Sequence, residues 1–158
     1  MTLVALESLK LGFDPNLGID KYFLSKADEK KILELESLDY QIDLLSGFSD
    51  KDQELFLFYT LKDLKVMEQE LGQLTRAWAS GDSKAIESIL KRSISEDERF
   101  AFVFEKLVYE RNRSMAAKIE TFLRTRETYF VVVGAGHFVG DQGIIEILKR
   151  KGYVVEQL

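Results

Sequence analysis

Apolar positions recur at three and four along most of the chain, the period of a helix with one buried face. The first such stretch, 3–9, ends near Gly12; the single proline, in F-D-P-N-L-G, marks a turn before Ile19, Phe23 and Ala27 resume helical spacing. From 38 to 79 the pattern runs through Leu44, Leu45, Phe48, Leu55, Phe58, Leu61, Leu64, Leu71, Leu74 and Trp78, with one break at 47–50. Ser49 is placed there to cap a second, unusually long helix. Gly81 and Asp82 supply a stop and a new cap for a short helix over 85–92, and Ser95 a cap for the helix after it.

Three segments depart from the helical period. K-I-L-E-L at 31–35 alternates, with Glu36 at its carboxyl end; F-V-V-V at 130–133 is aromatic and β-branched, too short for a core helix, and apolar toward both faces; Y-V-V at 153–155 follows the same habit. Between the last two lie Gly134, Gly136 and Gly140, then Asp141 as an expected N-cap, the helical set Ile144, Ile145, Ile147 and Leu148, and Gly152 as a stop. A strand–loop–helix–strand unit of this kind predicts an α/β fold. It is helix-rich, with a small mixed or parallel sheet using 31–35, 130–134 and 153–157 and a right-handed crossover. Ligands on open α/β sheets gather at the carboxyl ends of the strands, where the glycine loop places His137, the only histidine.

A helix over 102–124 carries the stripe Phe104, Val108, Met115, Ile119 and Phe122, and the position that continues the stripe between Val108 and Met115 is Arg111. Arginine is rarely buried without a partner, so this position predicts an anionic ligand or a buried carboxylate facing it. The same helix is locally basic; a solvated face with intrahelical pairs accounts for Lys106, Lys118, Arg124 and Arg126, and leaves Arg111 and Asn112 as candidates for function or for a structural bridge.

Composition narrows the chemistry. The chain has 158 residues, 46% hydrophobic and 31% charged, which suits one globular domain. A net charge of -5 disfavours nucleic acid as a partner, and no stretch approaches a membrane span. With no cysteine, there is no thiol nucleophile or thiolate ligand, so any metal is held by nitrogen and oxygen. His137 reads either as an ordinary hydrogen-bonding loop histidine or as a site residue, and the glycines favour the second because Gly134 and Gly136 permit a sharp turn and a close approach. G-A-G-H-F-V-G is not a dinucleotide fingerprint, since its spacing breaks at His137 and no acidic residue follows at a second strand end. A phosphate cradle is the weaker alternative.

The motifs E-R-N-R-S-M-A at 110–116, V-V-V-G-A-G-H-F-V-G at 131–140 and L-K-R-K-G-Y-V-V at 148–155 together resemble the second half of the TraB/GumN family, which includes the Tiki-type metalloproteases. G-I-D-K-Y-F at 18–23, L-E-S-L-D-Y-Q at 35–41 and R-A-W-A-S-G-D at 76–82 are similar to that family in the same order, so the resemblance covers most of the chain. It implies a carboxyl-terminal portion of such a domain, with a helical insert over about 38–100, in which His137 is a metal ligand or catalytic histidine. Glu36, Glu110, Arg111 and Asn112 would line the same cleft, with Glu36 joining His137 on Mn²⁺, Co²⁺ or Zn²⁺. Family members carry an earlier G-x-x-H element that this sequence lacks, so the chain is expected to be incomplete and inactive alone.

Two functions follow from the resemblance: a metal-dependent, peptidase-like hydrolase acting on a peptide or protein, and a non-catalytic peptide-binding or regulatory module. A sheet with open edges further predicts self-association into a homo-oligomer.

Overall fold

A computed structural model describes residues 2–96 and 98–158, and over these the regular structure is helical, with no strand. Helix α1 (Thr2–Lys10) stops before Gly12, whose φ of 88° is the left-handed conformation a helix end requires. A single 3₁₀ turn at Pro15–Leu17, capped by the Asp14 carboxylate, leads into α2 (Ile19–Leu24). Helix α3 (Leu38–Ser46) is capped by Ser37 and α4 (Asp50–Leu64) by Ser49, whose hydroxyl accepts the Asp52 N–H as the sequence predicts.

The long second helix does not run on to 79. It ends at Leu64, where the Lys65 and Val66 N–H groups donate back to the Lys62 and Asp63 carbonyls, and α5 (Met67–Ala79) starts afresh. Periodicity hides this break because Leu61, Leu64, Leu71 and Leu74 keep their spacing and no glycine or proline marks the turn. Met67 and Ala77 are the buried side chains of α5, while Trp78, which the pattern places inward, is 57% exposed. Asp82 then caps α6 (Ser83–Glu96), its carboxylate accepting the Ala85 N–H at 3.0 Å, and the helix is longer than the expected 85–92. The backbone of α6 passes through Ser95; the capping side chain expected there lies outside the described residues.

Two apolar clusters hold the chain. Phe48, Tyr59, Phe100, Val103 and Phe104 form the first, centred on α7 (Phe100–Phe104). Met115, Ala116 and Ile119 of α8 (Glu110–Leu123) meet Ile144 and Leu148 of α9 (Ile144–Arg150) in the second. Val103 and Ile144 are fully enclosed, each contributing about 1.5–3 kcal/mol relative to exposure.

Between α7 and α8 the helix widens into a π turn at Glu105–Tyr109, with the Glu110 N–H donating to the Glu105 carbonyl. A π turn takes up one extra residue, so everything after it falls back by about one position, roughly 100° of helix rotation. Ideal spacing from Phe104 and Val108 puts Arg111 in the buried stripe. The widened turn puts Asn112 there instead, at 1% exposure and in line with Met115, Ala116 and Ile119.

The expected α/β sheet and its crossover are absent among the described residues. Segments 31–35, 130–134 and 153–157 are not helical, and no backbone ladder joins them. Leu35, Val131, Val133, Tyr153 and Val155 nevertheless pack against the second cluster, while Phe130 and Val154 are 71% and 89% exposed. Alternation in a sequence reports which side chains turn inward; it does not supply the neighbouring backbone that makes a strand. Phe130 and Val132 are consequently not enclosed as a two-faced buried strand demands. No helix among the described residues is long and apolar enough to cross a membrane.

Candidate functional site

Asn112 organises the site from the buried face of α8. Its Nδ2 donates to the Gln142 carbonyl at 2.8 Å, and its Oδ1 lies 2.6 Å from His137 Nδ1. A backbone carbonyl only accepts, so the Gln142 contact fixes the amide's orientation and leaves Oδ1 facing the imidazole. His137 therefore carries its proton on Nδ1 when neutral, with the lone pair on Nε2.

His137 reaches this contact from a 3₁₀ turn at Ala135–His137, where its N–H donates to the Gly134 carbonyl at 2.9 Å. Close approach explains two of the three predicted glycines. A Cβ on Gly136 would stand 3.0 Å from Leu90 Cδ1, and Gly140, at φ 79°, would bring one to 2.8 Å from a Glu87 carboxylate oxygen. Gly134 is under no such restriction, since a Cβ there meets only His137 Cδ2, at 3.8 Å. The most demanding glycine is one the sequence reading passed over: a Cβ on Gly143 would lie 2.4 Å from the Val139 carbonyl oxygen.

Gly143 also corrects the helix start. It is the N-cap of α9, without a side-chain capping bond, and the expected cap Asp141 instead pairs with Lys91 at 3.3 Å. The signal available for Gly143 was its place directly before the apolar run at Ile144, in G-D-Q-G-I-I.

Arg111 meets a carboxylate. Its Nε and one terminal nitrogen donate to the two oxygens of Glu36 at 2.8 and 2.6 Å, and its other terminal nitrogen donates to the Leu107 carbonyl at 3.1 Å. The Glu36 side chain is 7% exposed and that of Arg111 22%, so the pair is mostly withdrawn from water. Hydrogen bonding from Arg111 holds the Glu36 pKa below the carboxylate range despite the opposing effect of burial, and the same bond raises that of Arg111. Burial lowers the pKa of His137, Arg111 repels its proton further, and Glu36 acts in the opposite sense.

Four of the five residues placed in the cleft by sequence thus form one group: Asn112 touches His137, Arg111 grips Glu36, and both members of that ion pair act electrostatically on the imidazole. Glu110 stands apart in an ion pair with Lys106 at 2.6 Å. The remaining basic residues of the helix behave as a solvated face, with Arg113 on Glu105, Arg124 on Glu120 and Lys118 on the Glu34 carbonyl.

Comparison with known proteins agrees with this reading of the motifs. The TraB/PrgY/gumN family pattern matches residues 1–157. A Metalloprotease TIKI homolog of Amphimedon queenslandica is 44% identical over 59 residues, which is 36% of this chain and 12% of that protein. Metalloprotease TIKI1 of Homo sapiens is 27% identical over 121 residues, 72% of this chain and 24% of that protein. An uncharacterized protein of Treponema pallidum (strain Nichols) is 24% identical over 148 residues, 87% of this chain and 44% of that protein. The chain thus matches only 12% to 24% of the length of those two metalloprotease relatives. No solved structure gives a significant match.

The relatives' names imply a metal, and the donor set tests that implication. His137 fits as one ligand, because its Nδ1 is held by Asn112 and its Nε2 is the nitrogen left to coordinate. Glu36 has both oxygens committed to Arg111, and no group of three His, Asp or Glu side chains among the described residues is arranged to hold an ion. A catalytic metal takes about three protein ligands. The described residues do not make up such a centre.

Proposed function

The chain belongs to the TraB/PrgY/gumN family, and we propose that it carries the His137 side of a hydrolytic site of the peptidase-like kind for which its relatives are named. The 2.6 Å contact between Asn112 and His137 carries this reading. A nearly inaccessible amide that fixes one imidazole nitrogen and leaves the other basic is what a proton acceptor or a ligand requires. The lowered pKa keeps that lone pair unprotonated near neutrality. Arg111 is less suited to stabilise developing negative charge than its residue type suggests, since all three of its nitrogens already donate. Its role in this reading is to hold Glu36 and to set the field around His137.

A second reading, a non-catalytic peptide-binding or regulatory module, is favoured by Glu36, whose negative charge is neutralised by Arg111 rather than left for an ion. One experiment separates the two. Mn²⁺, Co²⁺ and Zn²⁺ are titrated calorimetrically into wild type and His137→Ala, beside a peptide-cleavage assay. We expect weak ion binding that His137→Ala abolishes, and no cleavage by this chain alone. Equal ion binding by the two proteins removes His137 from any ion site; peptide binding that survives His137→Ala without cleavage supports the module.

A further inference from the structure

The His137 loop is held by Asn112 on one side and by α6 on the other, and the second support belongs to no motif. Glu87, Leu90 and Lys91 share one face of α6, being three and four positions apart. The Leu90 side chain lies against Gly136 and the Glu87 carboxylate against Gly140, 3.0 and 2.8 Å from where a Cβ on each glycine would stand. Lys91 Nζ then joins the two elements: it lies 2.6 Å from Glu87 Oε1 and 3.3 Å from Asp141 Oδ1. Beyond this point the Asp141 carbonyl accepts from Arg150 at 2.7 Å, which ties the same residue to α9.

We propose that Lys91 is a positioning residue for His137: by linking Glu87 to Asp141 it seats the loop on α6 and so keeps the imidazole against Asn112. The argument is one of geometry. A glycine-rich segment has little conformational preference of its own, and a hydrogen bond between two side chains survives only small displacements. The loop must therefore be fixed by contacts on both sides of His137. Gly136 on Leu90 provides one, adjacent to the histidine. The Lys91 bridge provides the other, after it. Lys91 is 42% exposed and Asp141 68%, so the pair adds little to global stability while still restricting the loop.

The proposal rests on His137 being the working residue of the site, but its test reads the loop directly. As the only histidine, His137 gives unambiguous imidazole nitrogen resonances. Wild type is expected to show a single tautomer protonated on Nδ1. Lys91→Met is expected to mix the two tautomers and to raise hydrogen exchange at the His137 amide about fivefold, with the melting temperature changed by roughly 2 °C or less. Lys91→Arg should restore both signals, and Asp141→Asn, at a largely exposed position, should reproduce the loss. Wild-type tautomer and exchange in Lys91→Met or in Asp141→Asn overturns the proposal, as does a Lys91→Arg protein that behaves like Lys91→Met. Equal ion binding by wild type and His137→Ala would remove His137 from any ion site and leave this result standing.

Discussion

Arg111 grips both oxygens of Glu36 across 75 residues of chain, at 2.8 and 2.6 Å. The bond ties the loop before α3 to the first turn of α8. Removing one partner strands a charge that is largely withdrawn from water. Glu36→Gln or Arg111→Met is expected to lower unfolding stability by about 2–3 kcal/mol, measured as a shift in urea midpoint at constant slope. The double variant should lose less than the two singles added together. Strict additivity would show that the pair is not coupled in solution.

Acid should weaken the fold in two stages. Burial depresses the folded-state pKa of His137, and bonding to Arg111 depresses that of Glu36, so in both cases the unfolded chain takes up the proton first. Stability present above the unfolded value is then lost as pH falls. The first loss begins near 6.5, the ordinary histidine value, and the second near 4.5, that of a glutamate. His137→Gln, neutral throughout, should flatten the first stage and leave the second. Urea unfolding across the weakly acidic range measures it, and a first stage of undiminished slope in the variant would assign it elsewhere.

Asn112 is expected to be less replaceable than its neighbours on α8. Asn112→Ala removes bonds to both the Gln142 carbonyl and His137 inside a closed space, at a cost of about 2–3 kcal/mol. Asn112→Asp should instead raise the His137 pKa, by setting a negative charge beside the ring. Proton NMR titration of the single imidazole reads that shift directly; an unchanged or lower pKa would mean that the two side chains are not in contact.

The exposed sides of the three non-helical segments predict self-association. Phe130 and Val154 are 71% and 89% exposed, beside stretches whose backbone groups form no ladder among the described residues. Sedimentation velocity should show weight-average mass rising with concentration, and Phe130→Asp with Val154→Lys should suppress the rise. A monomer at every concentration would sink this prediction.

The sequence made helix boundaries legible at several places where a side chain or a positive φ enforces them, as at Ser49, Asp82, Gly81 and Gly152, though not at Ser37, whose side chain caps α3. It also announced, through one charge in an apolar stripe, that Arg111 needed a partner, and Glu36 is that partner. Strands were not legible in the same sense: Val131, Val133, Tyr153 and Val155 do turn inward, but pairing depends on a second backbone that side-chain alternation does not specify. Asn112 was named for its neighbourhood, and its burial was missed, because ideal spacing carries no sign of a widened turn. Nothing in the sequence points to Lys91, whose partner Asp141 lies 50 residues away and becomes its neighbour only in the fold.

The widened turn at Glu105–Tyr109 makes the spacing of this helix a matter of count as well as of side-chain type. Deleting any one of those five residues would let the segment close into ordinary α-helix while Asn112 kept its bearing toward His137, because the surplus residue is the one removed. Adding one residue in α8 just before Arg111 would have the opposite effect, swinging Asn112 away by roughly 100° and presenting the guanidinium to the imidazole in its place. The stretch thus acts as a phase adjuster between the two ends of one long rod, and its tolerance to length change is asymmetric: shortening is absorbed, lengthening disconnects the amide from the ring.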